Sequence, residues 1–376
     1  MSEQNEPRRL SELVEGEGGE HPVEFGRGVS RRRFLAGVPL AALTAAACAQ
    51  EGPGGESAQE PRRTGTINSD SRLDTALVGG HEHEGSVTGA ALASQAAPYR
   101  RYDPELPPLS DERHLEVHWR AQEVPVRISP NVTVAAWTFE GDVPGPILHV
   151  RQGDTIDFTL TNEGDVPHSM DFHAAQVDPK TAFRSVPKGE SVQFTFEAKY
   201  PGAFMYHCGT APVLLHIGTG MYGAIIVDPP EPLPEAREFV LVHSEYYLGE
   251  EENGLQSFDY QKMASTLPDY VVFNGRPDQY VAEPITVQRG DRVRFYVVSA
   301  GPTHPCAFHV VGEQFDTVYL GAPPESAIHG VQTFNVPAGG GMVFEFEADV
   351  PGEFPFVNHG FGHGQKGAIG FLIVEE

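Results

Sequence analysis

The chain contains itself twice, and that internal repeat limits its fold more than any other feature. The segment Val150–Phe158 recurs as Val287–Phe295, each with a Gly-Asp pair before an alternating run. Val186-Pro187-x-Gly189, Phe194-x-Phe196 and Pro201-Gly202-x-Phe204 recur in the same order. Their copies are Val336-Pro337-x-Gly339, Phe344-x-Phe346 and Pro351-Gly352-x-Phe354, and Phe139-x-Gly141 matches Phe273-x-Gly275. A period this long means two copies of one domain, not a solenoid. Ile156, Phe158 and Leu160 alternate with Asp157 and Thr159, and Val192, Phe194 and Phe196 alternate with Gln193 and Thr195. Period-two alternation bounded by Gly and Pro marks half-buried strands. The expected fold is all-β: two tandem Greek-key β-sandwich domains over residues 107–230 and 235–376, divided at Pro229–Pro234.

The segment ahead of the repeat reads differently. Arg31-Arg32-Arg33 precedes a short apolar stretch ending at Ala47, the pattern of a twin-arginine type export signal within residues 1–48. The expected location is the periplasm or the outer face of the cell membrane. Cys48 follows three alanines, so either cleavage at a small-residue site or a lipid anchor on Cys48 fits. Residues 49–106 are rich in Gly, Ser, Ala, Glu and Pro and read as a flexible linker. His81 and His83 lie inside it and receive no role. The formal net charge of −26 opposes binding to nucleic acid. Three cysteines cannot build a disulfide framework.

The chemistry concentrates in the first copy. His168, Asp171 and His173 lie on one segment, His207 and Cys208 are adjacent on another, and His216 and Met221 follow closely. One Cys, two His and one Met form a blue-copper ligand set, since soft thiolate and thioether suit copper better than a hard ion. Strand parity then sorts the rest. Neighbouring side chains point to opposite faces, so His168 would join Cys208, while Asp171, His173 and His207 gather on the other side. That arrangement predicts a second metal site one residue away from the first. The second copy repeats His168–His173 as His304–His309 and carries Asn358-His359-Gly360 where the first has its thiolate. On this alignment Gly360 replaces Cys208 and Gln365 replaces Met221, so no blue centre is expected there. His309 and His359 stand as counterparts of His173 and His207. A pseudo-twofold contact between unlike domains would bring these four imidazoles together. Three imidazoles with an open fourth position make a catalytic rather than a structural metal site. Cys306 lies on the wrong segment to replace the thiolate. His304, His329 and His363 are expected at the surface, in the core or behind the ligands; His114, His118, His149 and His243 are expected to be structural.

At these residues the chain closely resembles the copper-containing nitrite reductases, two-domain cupredoxin members of the multicopper oxidase group, over about residues 110–376. The resemblance implies type 1 copper on His168, Cys208, His216 and Met221. It implies type 2 copper on His173 and His207 of one subunit and His359 of a neighbour, hence a homotrimer with two coppers per subunit. Asp171 and His309 match the family's catalytic pair. The implied reaction is reduction of nitrite to nitric oxide, as in denitrification. The implied electron donor is a small blue copper protein or a c-type cytochrome. Two segments, Cys208–His216 and His359–Lys366, are each a residue shorter than in the commonest members. A laccase-like multicopper oxidase is the first alternative, but its cluster needs His-x-His pairs, and here only His81 and His83 form one. A non-enzymatic electron-transfer protein is the second, and it leaves Asp171, His173, His207, His309 and His359 without a purpose.

Overall fold

The computed structural model describes residues 93–321 and 323–376. The export segment, Cys48, His81 and His83 lie outside the described residues. Among the described residues, no helix is long and apolar enough to cross a membrane.

Two tandem cupredoxin-like sandwiches form. In the first, a six-stranded sheet is built around His114–Ser129, Thr155–Asn162 and Ser191–Glu197. A four-stranded sheet runs in the order Leu148–Arg151, Tyr222–Asp228, Gly202–His207, Asp171–Phe172. The alternation read from the sequence is realised: along Thr155–Asn162 every second residue is buried. Trp119, Phe158, Phe172 and Tyr206 fill the space between the sheets, with ring centroids 4.9–5.9 Å apart. The second sandwich packs a six-stranded sheet on a five-stranded one around Phe295, Phe308, Phe344 and Phe356. The shared Gly-Asp turns match in conformation as well as in sequence. Gly153 has φ +83° and Gly290 φ +86°, a region that glycine enters without a Cβ clash.

A third apolar cluster joins the two sandwiches. Ala203 and Met205 from the first meet Val240, Val298 and Val343 of the second. Phe204 and Tyr206, on the alternate parity of the same strand, pack into the first sandwich instead. The connection also crosses over. The hairpin Leu248–Glu252 and Leu255–Phe258 adds to the first sandwich's sheet, although it follows the opening strand of the second.

The linker ends earlier than the sequence reading places it. Its last residues are docked, not flexible. Leu106 N–H donates to the Glu238 carbonyl at 3.0 Å and Val240 N–H to that of Pro104 at 2.7 Å. Arg101 reaches the Glu283 carbonyl, and Tyr102 N–H donates to the Gln279 side chain. The contacts are single main-chain pairings and isolated side-chain hydrogen bonds, so they leave no side-chain periodicity to read.

Candidate metal centres

Cys208 directly follows the strand Gly202–His207 and keeps the inward parity of Phe204 and Tyr206. The short helix Val213–Gly218 turns the chain back, so that His216 Nδ1 lies 3.3 Å from Cys208 Sγ and 3.2 Å from His168 Nδ1. His168, Cys208 and His216 are all buried, and their donor atoms lie within 4.8 Å of one another. Met221 is fully buried in the same cluster, and its carbonyl accepts from Cys208 N–H. Ser169 N–H donates to the sulfur at 3.3 Å. Burial pushes the thiol up, but hydrogen bonds with His168 and His216 and the Thr210 N–H outweigh it, leaving Cys208 well below the usual thiol range. Burial likewise lowers His168, yet Cys208 and Glu123 more than offset that and raise it. The Glu123 carboxylate accepts from Asp165 and Val166 N–H and lies 3.5 Å from His168 Nε2.

The opposite face carries the second group. Asp171 and His207 are partners across the ladder, and Asp171, His173 and His207 share one cluster. His207 Nδ1 donates to the Cys208 carbonyl and His173 Nδ1 to that of Gly339, both at 2.9 Å. With both Nδ1 atoms acting as donors, the neutral rings turn lone pairs on Nε2 toward one another at 3.1 Å. Two such lone pairs repel unless a cation or a proton lies between them. Asp171 Oδ2 is 4.0 Å from His207 Nε2. Desolvation and the adjacent His207 hold His173 below the ordinary histidine range, with Asp171 pulling the other way.

His309 and His359 pair with each other, ring centroids 5.3 Å apart, and His309 Nδ1 donates to the Gln332 carbonyl at 2.6 Å. His359 is exposed. Among the described residues of one chain, neither joins the cluster of Asp171, His173 and His207.

The ladders correct the sequence alignment of the two copies by two residues. His168 bridges Val186, and in the equivalent Val-Pro turn Val336 pairs with Cys306, not His304. Asp171 faces His207, and His309 faces Val357. Cys208 N–H donates to Met221, and Asn358 N–H donates to Ala368. So Asn358, not Gly360, occupies the thiolate's place; beyond the ladder, at the Met221 position, the shift is three residues, with Ala368 rather than Gln365 as the counterpart. His309 is the counterpart of Asp171 rather than of His173, and the counterpart of His207 is Val357 rather than His359. A two-residue shift keeps every side chain on its face, so alternation could not reveal it. The expected absence of a thiolate at that place in the second copy is unaffected.

Residues 120–232 and 252–376 match family models described as multicopper oxidase. A copper-containing nitrite reductase of Neisseria gonorrhoeae is 36% identical over 357 residues, spanning 92% of this chain and 88% of that protein. The chain belongs to the copper-containing nitrite reductases. Its counterpart in Neisseria meningitidis is 39% identical over 284 residues, spanning 72% of this chain and 73% of that one. A solved copper nitrite reductase from Nitrosomonas europaea superposes with a TM-score of 0.66 at 36% identity, covering 70% of this chain and 94% of that one. Copper is the family's metal, and both donor sets suit it. One offers a thiolate and buried imidazoles, the other a pair of unprotonated nitrogens facing one point.

Glu123 and Asn358 escaped the sequence reading. Each is polar yet sits on the inward parity of its strand, Glu123 with Trp119 and Ala121, Asn358 with Phe354 and Phe356. A polar residue on an apolar face is the signal that could have found them.

Proposed function

We propose that this enzyme carries out the one-electron reduction of nitrite: nitrite, one electron and two protons give nitric oxide and water. Two coppers per subunit serve it, type 1 held by His168, Cys208, His216 and Met221, and type 2 held by His173, His207 and the partner subunit's His359. Copper supplies the one-electron couple and an electrophilic seat for an anion; the remaining work falls to the chain. The assembly is a homotrimer, each site completed across an interface, which accounts for an exposed His359 that joins no candidate metal cluster among the described residues of its own chain. The peptide between Cys208 and His207 offers the electron a covalent path between the two donor sets.

The observation that carries this reading is the pair of Nε2 atoms 3.1 Å apart, beside a carboxylate and one residue from the buried thiolate. Asp171, 4.0 Å from His207 Nε2, would hydrogen-bond an oxygen of nitrite held there and deliver one proton. His309, its Nδ1 held by the Gln332 carbonyl, directs Nε2 outward and completes the relay through water. Such positioned donors contribute about 10²–10⁴-fold each. Export by the twin-arginine type segment would place the enzyme in the periplasm or on the outer membrane face, with a lipid on Cys48 as one route of attachment. A small blue copper protein or c-type cytochrome would deliver the electron. Nitrite-dependent nitric oxide release, measured with copper content, tests the reading. Turnover with two coppers per chain supports it; no turnover at full loading refutes it.

A further inference from the structure

We propose that Asn358 is a positioning residue for the type 2 site, fixing the loop that presents His359 with hydrogen bonds that replace the metal–ligand bonds of the first copy. The proposal rests on the reading of His359 as the ligand donated across the subunit interface.

Asn358 stands at the thiolate's place, and two of its contacts correspond to those of the thiolate. In the first copy Ser169 N–H donates to Cys208 Sγ; in the second, Ala307 N–H donates to Asn358 Oδ1 at 3.3 Å. His216 Nδ1 lies 3.3 Å from the sulfur, and His363 Nδ1 lies 3.2 Å from Asn358 Nδ2. Both histidines sit in the last turn of a short helix that follows the strand. Asn358 Oδ1 also accepts from Gly360 N–H at 3.1 Å, while Nδ2 lies 3.0 Å from His243 Nε2 and 3.2 Å from the Pro305 carbonyl. The amide therefore sits at the thiolate's place, with acceptors and donors turned toward it from three segments, at His243, Pro305–Ala307 and Gly360–His363.

The consequence falls on His359. Its own N–H donates to the Ala307 carbonyl at 2.7 Å, and its ring is exposed. Asn358, buried to 1% exposure, clamps the residue after His359 through Gly360 and ties it to the strand Cys306–Val310, which carries His309. One side chain thus sets the spacing between the donated ligand and the proton-relay histidine. An aspartate would keep the acceptor half of this clamp and lose the donor half to His243 and His363.

The test uses copper-loaded full-length protein carrying Asn358→Ala, Asn358→Asp or His359→Ala. Copper per subunit, the visible type 1 band, the type 2 paramagnetic resonance signal, and kcat and KM for nitrite are measured. Asn358→Ala is expected to keep the type 1 band and bind type 2 copper about 10–100-fold more weakly. Its residual type 2 signal should be altered and its kcat should fall. Asn358→Asp is expected to lie between wild type and Ala, and it carries the test where Ala yields no folded protein. Full occupancy and an unchanged type 2 signal in the Asn358 variants, with both lost in His359→Ala, overturn the proposal alone. Retention in His359→Ala as well overturns the ligand assignment beneath it.

Discussion

His173 Nδ1 lies 2.9 Å from the carbonyl oxygen of Gly339, a residue 166 positions away and in the other sandwich. The second copy lacks the thiolate, yet it orients a proposed ligand of the first before any other subunit is involved. Holding the Nδ1 proton on a carbonyl fixes the tautomer and leaves Nε2 free as a donor, the usual outer-shell role beside a metal-binding histidine. The same copy carries half-buried His309 and exposed His359. It therefore serves one site in its own chain and, in the trimer proposed above, another in its neighbour.

Replacing Asp171 with Asn removes the proposed proton donor without touching any of the proposed ligands. Both coppers are expected to remain, with turnover down by about two orders of magnitude or more. Because each turnover consumes two protons, wild-type activity should fall at alkaline pH; a flat rate from neutral pH to about pH 9 would contradict this. Steady-state assays across pH, run on both proteins, check this.

Cys208→Ala removes the only thiolate of the buried cluster formed by His168, Cys208 and His216. The visible charge-transfer band is expected to vanish while type 2 copper still loads, since His207 faces the other way. Metal analysis with absorbance and paramagnetic resonance spectra reads both effects. Persistence of the band would mean that Cys208 is not the sulfur ligand.

An interface-shared site can be tested by complementation. His173→Ala and His359→Ala proteins should each be inactive alone. Dissociated and reassembled together in equal amounts, they should recover about a quarter of the intact sites, the fraction of interfaces that random mixing leaves with both ligands. No recovery from mixed trimers of confirmed composition would argue against a site shared between subunits.

Glu123 stands 3.5 Å from His168 Nε2. A negative charge beside a ligand favours the more positive, oxidised ion, so Glu123→Gln should raise the type 1 potential. Redox titration of the visible band would show it; an unchanged or lower potential contradicts an electrostatic role for this carboxylate.

His243 is buried, and burial, then His363 and His304, pushes its pKa down from 6.5 to about 3. The folded protein therefore keeps this ring neutral while the unfolded chain protonates it. The associated stability is complete above pH 6.5 and declines as pH falls toward 3, by up to about 5 kcal/mol. Denaturant midpoints measured between pH 7 and 4 should fall more steeply for wild type than for His243→Gln. Equal slopes would mean that His243 does not drive the decline.

The sequence by itself determined the two sandwiches, because paired turns and period-two alternation recur at matching offsets. It also determined the division of the first copy's donors. Adjacent residues on a strand must point apart, so Cys208 and His207 had to belong to different groups, and the structure separates them that way. What only the tertiary structure decided was register. Alternation specifies a face but not a position along it, so a shift of two residues between the copies was invisible until Cys306 was seen opposite Val336. The carbonyl partner of His173, the carboxylate near His168 and the amide in the place of the thiolate were hidden for a related reason. Each is a contact between segments far apart in the chain, held by backbone pairing that side-chain pattern does not encode.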